Sequence, residues 1–161
     1  MRRALYPGSF DPVTMGHMDI IRRGSSMFDK FVVAVLLNPS KDPLFSIEER
    51  VCMLKEACVD LPNVSVDCFR GLLVSYAEQV GASVIVKGLR AVSDFDYELQ
   101  QAHFNRQFAP NVDTVFLATD AQNSFLSSSL VREVARLGGS VEGLVPAGVV
   151  QRLQGKLAPR E

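Results

Sequence analysis

The chain has 161 residues, of which 47% are hydrophobic and 22% are charged, and its formal net charge is −1 at pH 7. This composition is typical of a globular protein with one domain and a sizeable core, and the lack of a basic excess argues against nucleic-acid binding. Because no apolar run approaches the roughly 18 residues of a membrane span and the first residues lack the apolar core of a secretory signal, we predict a single cytoplasmic domain over residues 1–161 that binds neither nucleic acid nor a membrane.

A turn-rich segment separates the first predicted strand, at residues 4–6, from the first predicted helix. Residues 7–16 contain two prolines and two glycines, more turn formers than a strand or a helix tolerates. A strand that ends in such a turn and continues as a helix places backbone N–H groups at the helix N-terminus, where they attract anions. Ser9, Thr14 and His17 add side-chain donors around the same turn, so we predict an anion site there.

Strands and helices are predicted to alternate along the rest of the chain. Residues 31–37 form a continuous apolar run, as expected for a strand that is buried on both faces of a parallel sheet. The later elements are strands at 64–68, 84–86 and 115–118, and helices at 46–58, 72–80, 93–108, 127–137 and 146–157. This order predicts an α/β fold, namely a Rossmann-like, doubly wound, five-stranded parallel sheet with helices on both faces.

Two of the helix starts support more specific predictions. Ser46 followed by Glu49 is the pattern of a capping box, in which each side chain bonds the backbone of the other residue. Ser93 is predicted to cap the long helix that ends near Phe108. The residues of that helix that are expected to face inward are Phe95, Leu99, Ala102 and Phe108.

The residues with useful chemistry follow the predicted strands. Ligands of open α/β sheets bind beyond the carboxyl ends of the strands, so these residues are expected to meet at one edge of the sheet. They are Ser9, Thr14 and His17 after the first strand, Lys41 after the second, Lys87 and Arg90 after the fourth, and Ser127, Ser128 and Ser129 after the fifth. Cations, hydroxyls and helix starts together predict a pocket for several phosphates.

Most of these residues also have a simpler explanation when each is taken alone. His17 fits a histidine that only stabilises a helix start, and Lys41 fits a solvated surface charge. The serines fit an ordinary helix cap. Lys87 and Arg90 are harder to explain in this way, because they adjoin a buried strand. The residue types alone therefore leave both explanations open.

Three motifs resemble those of a known enzyme family. Residues 8–17, GSFDPVTMGH, are similar to the T/H-x-G-H signature of the nucleotidyltransferase superfamily, and residues 124–130, SFLSSSL, resemble its serine-rich second signature. These two alone would also fit a cytidylyltransferase or a nicotinamide-nucleotide adenylyltransferase. Residues 87–98, KGLRAVSDFDYE, resemble the bacterial phosphopantetheine adenylyltransferases, and this similarity extends over residues 3–157.

The resemblance implies transfer of the adenylyl group of ATP to 4′-phosphopantetheine, which forms dephospho-coenzyme A and pyrophosphate. It also implies Mg²⁺, a homohexamer built as a dimer of trimers, and coenzyme A as a feedback ligand. The residues implied to bind phosphopantetheine are Ser9, Lys41, Leu73 and Lys87. The residues implied to bind ATP are Ser9, Phe10, His17, Gly88, Leu89, Arg90, Glu98, Asn123, Ser124, Phe125, Leu126, Ser127, Ser128 and Ser129.

The expected chemistry agrees with a site that is rich in donors and cations. A phosphate monoester is already ionised at neutral pH, so its attack on ATP needs no general base. Catalysis then comes from holding two anionic substrates in line and from stabilising the charge that develops on the α-phosphate, a role that we predict for His17. Mg²⁺ is expected to be held mainly by phosphates and water, so no protein ligand is predicted.

Two other functions remain open at this point. One is another transferase of the same superfamily that acts on a different phosphate or alcohol. The other is a non-catalytic nucleotide-binding module, since a fold does not fix a function. Lys87, Asn123 and Gly71 depart from the residues common in the family that the chain resembles.

Overall fold

The computed structural model describes residues 1–38 and 42–157. The strands are β1 (Arg3–Gly8), β2 (Lys30–Leu36), β3 (Val64–Phe69), β4 (Val84–Leu89) and β5 (Asp113–Ala118). The helices are α1 (Met15–Met27), α2 (Ile47–Ala57), α3 (Leu73–Gln79), α4 (Val92–Phe108), α5 (Ser128–Arg136) and α6 (Ala147–Leu157), with a 3₁₀ turn at Ala121–Asn123. Among the described helices, none combines the length and the apolar character that crossing a membrane requires.

The five strands form one parallel sheet in the order β3-β2-β1-β4-β5. The predicted fold is therefore confirmed. The strand order reverses between β1 and β4, which is where α/β sheets bind their ligands. Pairing between these two strands is limited to Ala4 with Val84 and Leu5 with Ile85. Beyond those pairs the two strands diverge, and a crevice opens at their carboxyl ends.

Hydrophobic residues form two clusters, one on each face of the sheet. Alternation along β1 directs Tyr6 into one cluster and Leu5 into the other. The larger cluster is covered by α1, α2, α5 and α6 and includes the fully buried Ile20 and Leu54. The smaller cluster contains Val74 of α3, and α3 packs against α4 on that side. Helices thus cover both faces, as a parallel sheet requires.

Strand β4 is longer than the sequence pattern predicts. Lys87 and Gly88 belong to the strand, whereas we expected them to follow it. The reason is that β5 continues beside them, so that Lys87 pairs with Phe116 and Gly88 with Leu117. Lys87 is therefore fixed by a rigid element.

The start of α4 was predicted wrongly, and its inward face was predicted correctly only in part. The helix begins at Val92, and its N-cap is Ala91, whose methyl side chain cannot cap it; Ser93 lies inside the helix. Phe95 is 38% exposed and Phe108 is 57% exposed, so neither is a core residue. The half-buried residues of the predicted inward face are Leu99 and Ala102. The physical reason is that the apolar residues of α4 are spread around the helix and do not form one dominant face. By contrast, the capping box at the start of α2 is confirmed, with both bonds present.

Replacement of Gly24 by alanine is expected to destabilise the fold. Gly24 lies in α1 where the helix crosses β2, and an added Cβ would overlap the fully buried Phe31 ring. We expect Gly24→Ala to lower the free energy of unfolding by about 1–3 kcal/mol through overpacking, measured by urea denaturation. Gly155→Ala is the control, because that glycine lies in α6 with open space around it. Equal stability of the two variants would contradict this packing.

Candidate active site

Three adjoining cavities lie at the carboxyl edge of the sheet, and Ser9 lines all of them. The central pocket, of about 270 Å³, contains His17. The side groove, of about 630 Å³, runs along α4 and contains Leu73 and Gln101. The arginine pocket, of about 390 Å³, contains Arg50 and Arg132. The predicted phosphate ligands that the structure describes therefore line one of these adjoining cavities, at the switch point of the sheet.

His17 is fixed by the N-terminus of α1. Thr14 is the N-cap of that helix, and its Oγ1 accepts a hydrogen bond from the His17 N–H over 3.3 Å. In return, His17 Nδ1 accepts a hydrogen bond from the Thr14 N–H over 2.9 Å. Since Nδ1 is an acceptor, the proton of the neutral ring lies on Nε2. The capping interaction thus sets the tautomer and leaves an Nε2–H donor for the pocket.

The His17 ring is neutral at physiological pH. Burial, reinforced by the positive charge of Arg90, lowers the pKa of His17 to about 4. The Phe10 ring lies edge-to-face against it, with the ring centroids 4.9 Å apart. Phe10 itself has φ of +48°, in the left-handed region that residues with a Cβ rarely adopt. A non-glycine residue in this region suggests that the turn is shaped for function.

Stability is expected to depend on pH through His17. Its pKa is about 4 when folded and 6.5 when unfolded, so below pH 6.5 the unfolded state takes up the proton first. Above pH 6.5 the titration of His17 therefore leaves the free energy of unfolding unchanged. As the pH falls from 6.5 to 4, protonation of His17 in the unfolded state lowers the free energy of unfolding by about 3 kcal/mol. Urea denaturation of His17→Asn should show a smaller loss over this interval than the wild-type protein. Equal losses would contradict a His17 ring that stays neutral in the folded protein.

The cationic side chains of the pocket are paired with carboxylates of α4. Lys87 Nζ lies 3.3 Å from Glu98 Oε2, and Arg90 Nε lies 3.4 Å from Asp94 Oδ2. Arg90 also donates through Nη1 to the Leu126 carbonyl over 3.2 Å. Glu98 Oε2 is buried and, within the described residues, makes no hydrogen bond besides this ion pair. The two ion pairs thus hold both cations in position beside the pocket. Lys87 lines both the central pocket and the side groove.

The three serines at the start of α5 combine local bonds with a place in the central pocket. Ser127 is the N-cap and accepts from the Leu130 N–H over 3.1 Å, as the simpler explanation predicts. Ser128 Oγ donates to the Pro12 carbonyl over 2.8 Å, which ties α5 to the turn. All three line the central pocket. An anion there can accept from the hydroxyls of Ser127 and Ser129 and meets the α5 N-terminus, whereas the Ser128 proton is already donated to Pro12.

The structure gathers most of the predicted site residues, though not all of them. Those lining the central pocket are Ser9, Phe10, His17, Lys87, Gly88, Arg90, Glu98, Leu126, Ser127, Ser128 and Ser129. Those lining the side groove include Ser9, Leu73 and Lys87. Those outside both linings are Leu89, Asn123, Ser124 and Phe125, and Phe125 is 61% exposed. Lys41 lies outside the described residues. All of these ligand assignments stay predictions.

Sequence reasoning missed two arginines that shape the site. Arg50 is only 6% exposed and donates through Nη1 to the Ser9 carbonyl over 3.0 Å. Arg132 of α5 approaches Asp11, with Nη1 at 3.6 Å from Oδ2. Neither stands directly after a strand, and an arginine on a helix ordinarily indicates a solvated face. Only the tertiary structure brings them to the turn.

The side chains of the described residues determine how the expected Mg²⁺ ion could be held. In residues 1–38 and 42–157, no group of three or more histidine, cysteine or carboxylate side chains is placed to hold a metal ion. The central pocket is lined by hydroxyls, cations, a neutral histidine and the single Glu98 carboxylate, which pairs with Lys87. This donor set fits an Mg²⁺ ion that arrives on the phosphates of a nucleotide, because Mg²⁺ keeps several waters and needs few protein ligands.

Comparison with known proteins first gives the class of protein. Residues 5–134 match the model of the cytidylyltransferase-like family. Two solved structures share the fold. A Vibrio parahaemolyticus protein assigned as a nicotinate-nucleotide adenylyltransferase has a TM-score of 0.68 at 16% identity, covering 95% of this chain and 99% of that one. A lipopolysaccharide core biosynthesis protein from Thermoplasma volcanium has a TM-score of 0.57 at 21% identity, covering 74% and 98%. The family model thus assigns the chain to the cytidylyltransferase-like nucleotidyltransferases, and the shared fold agrees with this class.

Curated relatives narrow this class to one family. The phosphopantetheine adenylyltransferase of Caldanaerobacter subterraneus is 59% identical over 97% of this chain and 98% of its own. The enzyme of the same name from Alkaliphilus oremlandii is 54% identical over 95% and 98%, and that of a Synechococcus species is 58% identical over 94% and 95%. The chain belongs to the phosphopantetheine adenylyltransferase family.

Proposed function

We propose that this protein transfers the adenylyl group of ATP to 4′-phosphopantetheine, forming dephospho-coenzyme A and pyrophosphate in coenzyme A biosynthesis. The observation that carries the proposal is the junction at Ser9 and Lys87. Both residues line the central pocket and the side groove, so two anionic substrates can meet there end to end. Relatives named phosphopantetheine adenylyltransferase, which are 53–59% identical over nearly the whole chain, support the choice of substrates.

In this proposal, ATP lies in the central pocket and the acceptor lies in the side groove. The α5 serines and Arg90 would bind the phosphates of ATP. The acceptor phosphate would lie at the junction, on Ser9 and Lys87, with Lys41 as a further ligand. The pantetheine arm would extend along the side groove past Leu73. That groove, at about 630 Å³, is the largest of the three cavities.

The reaction is a single displacement at the α-phosphorus. An oxygen of the acceptor phosphate forms a bond to the α-phosphorus, and the bond from that phosphorus to the bridging oxygen of the β-phosphate breaks. Pyrophosphate leaves with the bonding electrons, and no proton has to be removed from the nucleophile. His17 Nε2–H donates to the α-phosphate oxygen on which negative charge increases. Since the ring is already neutral, this donor is available throughout the physiological pH range.

Lys87 and Arg90 reduce the repulsion between the two substrates. Each pairs with an α4 carboxylate at a distance above 3 Å in the structure, so a phosphate can take over as the closer partner. Holding both substrates in line then removes much of the entropic barrier of a bimolecular step. Mg²⁺, carried by the phosphates of ATP, would neutralise part of their charge.

The protein is further proposed to act in the cytoplasm as a homohexamer, a dimer of trimers, that coenzyme A can inhibit. The exposed aromatic residues of α4 support self-association. Tyr97 is 63% exposed, Phe104 is 45% exposed and Phe108 is 57% exposed, which is unusual for large apolar side chains on one helix. Sedimentation velocity with and without coenzyme A tests the assembly.

Pyrophosphate release across a small panel of acceptors tests the proposed reaction. The purified protein is given ATP and Mg²⁺ with phosphopantetheine, nicotinamide mononucleotide, nicotinate mononucleotide or no acceptor. We expect release with phosphopantetheine and only a background rate without an acceptor. Release with a mononucleotide but not with phosphopantetheine would indicate a different transferase, and ATP binding without any release would indicate a non-catalytic nucleotide-binding module.

A further inference from the structure

The turn between β1 and α1 is held by side chains from other elements. Residues 11 and 12 form a tight turn, and its backbone makes few hydrogen bonds of its own. Three carbonyls of the turn instead accept hydrogen bonds from side chains of α2 and α5. The donor and acceptor pairs are Arg50 with Ser9, Arg132 with Asp11, and Ser128 with Pro12. Side chains of α2 and α5 therefore stabilise the conformation of this turn.

Asp11 is the centre of these contacts. It is 6% exposed, and its two carboxylate oxygens accept hydrogen bonds from the backbone N–H groups of Leu44 and Phe45, each over 2.9 Å. Arg132 Nη1 approaches Oδ2 at 3.6 Å and also donates to the Asp11 carbonyl. One residue thus joins the turn to the segment that enters α2 and to the helix that carries the serines.

Phe10, the residue before Asp11, packs against His17 and fixes the position of its ring. Phe10 has a backbone φ of +48°, and its ring is 2% exposed. The ring lies edge-to-face against His17 with centroids 4.9 Å apart. A side chain in this left-handed region stays there only when neighbouring contacts hold it. The bonds on Ser9 and Asp11 flank Phe10 on both sides and supply those contacts.

We propose that Asp11 is a positioning residue for adenylyl transfer. Its carboxylate and carbonyl hold the turn in the conformation in which the Phe10 ring packs against His17. They also fix the position of the α5 serines relative to the His17 ring. The inference rests on the proposed function, in which His17 must meet the α-phosphate at a fixed place. Asp11 itself acts through these contacts and touches no reacting atom. A shift of about 1 Å in such a geometry can lower a rate about 10²-fold.

Asp11→Asn is the direct test, because asparagine keeps the shape but offers only one oxygen to two backbone donors. At saturating ATP and phosphopantetheine, we expect kcat to fall about 10²-fold, whereas KM for ATP changes little. In ¹⁵N spectra of the protein without substrates, wild-type His17 should show the Nε2–H tautomer. In Asp11→Asn its ring signals should shift toward a mixture of tautomers.

Two further variants keep the test decisive. Glu56→Gln removes a carboxylate that pairs with Arg152 at 2.8 Å outside the three cavities, and it should change neither kcat nor the His17 spectrum. If Asp11→Asn does not fold, Arg132→Lys replaces it. Lysine keeps the positive charge but loses the second donor group, so a smaller fall in kcat and the same spectral shift are expected.

The outcome that overturns the inference is a folded variant with the wild-type kcat and the wild-type His17 spectrum. A loss of activity that only follows the unfolded fraction, with the His17 signals unchanged, would equally reject a positioning role. Failure of the proposed function is a different result: the wild-type protein would then release no pyrophosphate with phosphopantetheine. The spectral comparison would still test whether Asp11 holds His17.

Discussion

His17→Ala is expected to lower kcat for dephospho-coenzyme A formation by about 10²–10³-fold, the usual cost of removing one preorganised donor from a developing negative charge. The structure gives the reason, because the capped Nδ1 leaves the Nε2–H free to donate and burial keeps the ring neutral. Binding of ATP, measured by calorimetry, should change much less than kcat. Such a split marks an interaction that is made mainly in the transition state.

The matched control for this experiment is His103→Ala. His103 is the second histidine of the chain and is exposed on α4. Its replacement should leave kcat and ATP binding at their wild-type values. If His17→Ala instead weakened ATP binding and kcat to the same extent, His17 would serve ground-state binding, and the role assigned to it would be wrong.

Lys87→Met is expected to weaken the acceptor more than ATP. The substitution removes the ammonium at the junction of the two substrate cavities, and it leaves the buried Glu98 carboxylate facing an incoming phosphate. The loss of a charged hydrogen bond alone corresponds to about a 10- to 100-fold rise in Kd for phosphopantetheine. Repulsion by Glu98 adds to that loss. Calorimetric titration with each substrate measures both affinities.

The double variant Lys87→Met with Glu98→Gln separates these two causes. Without the Glu98 charge, affinity for phosphopantetheine should recover in part relative to Lys87→Met alone. A double variant that binds no better than the single variant would show that the carboxylate does not oppose the phosphate. A larger loss for ATP than for the acceptor in Lys87→Met would contradict the placement of the acceptor phosphate at this lysine.

The sheet was predictable because its signals are local. Buried parallel strands are continuous apolar runs such as residues 31–37, and capping residues such as Ser46 mark helix starts independently of tertiary structure. The extension of β4 through Lys87 and Gly88 was not predictable. A lysine and a glycine end a strand by composition, and only the neighbouring β5 supplies the backbone partners that continue it.

The candidate site likewise has a part that local sequence predicts and a part that depends on tertiary packing. The motif around His17 and the serines at the start of α5 are contiguous in sequence, so their place beyond the strands could be predicted. The pairing of Lys87 with Glu98 joins a strand to a helix, and the contacts of Asp11 join residues 33 and 34 positions apart. Such contacts depend on how the elements pack, which no local pattern encodes.

The most direct test of the account follows the adenylyl group itself. The protein is incubated with Mg²⁺, phosphopantetheine and ATP that carries ³²P in the α-phosphate, and the products are separated and counted. We predict that all transferred label appears in dephospho-coenzyme A, with one unlabelled pyrophosphate released for each labelled product. Label in free AMP or bound covalently to the protein, with none in dephospho-coenzyme A, would contradict direct transfer between the two substrates.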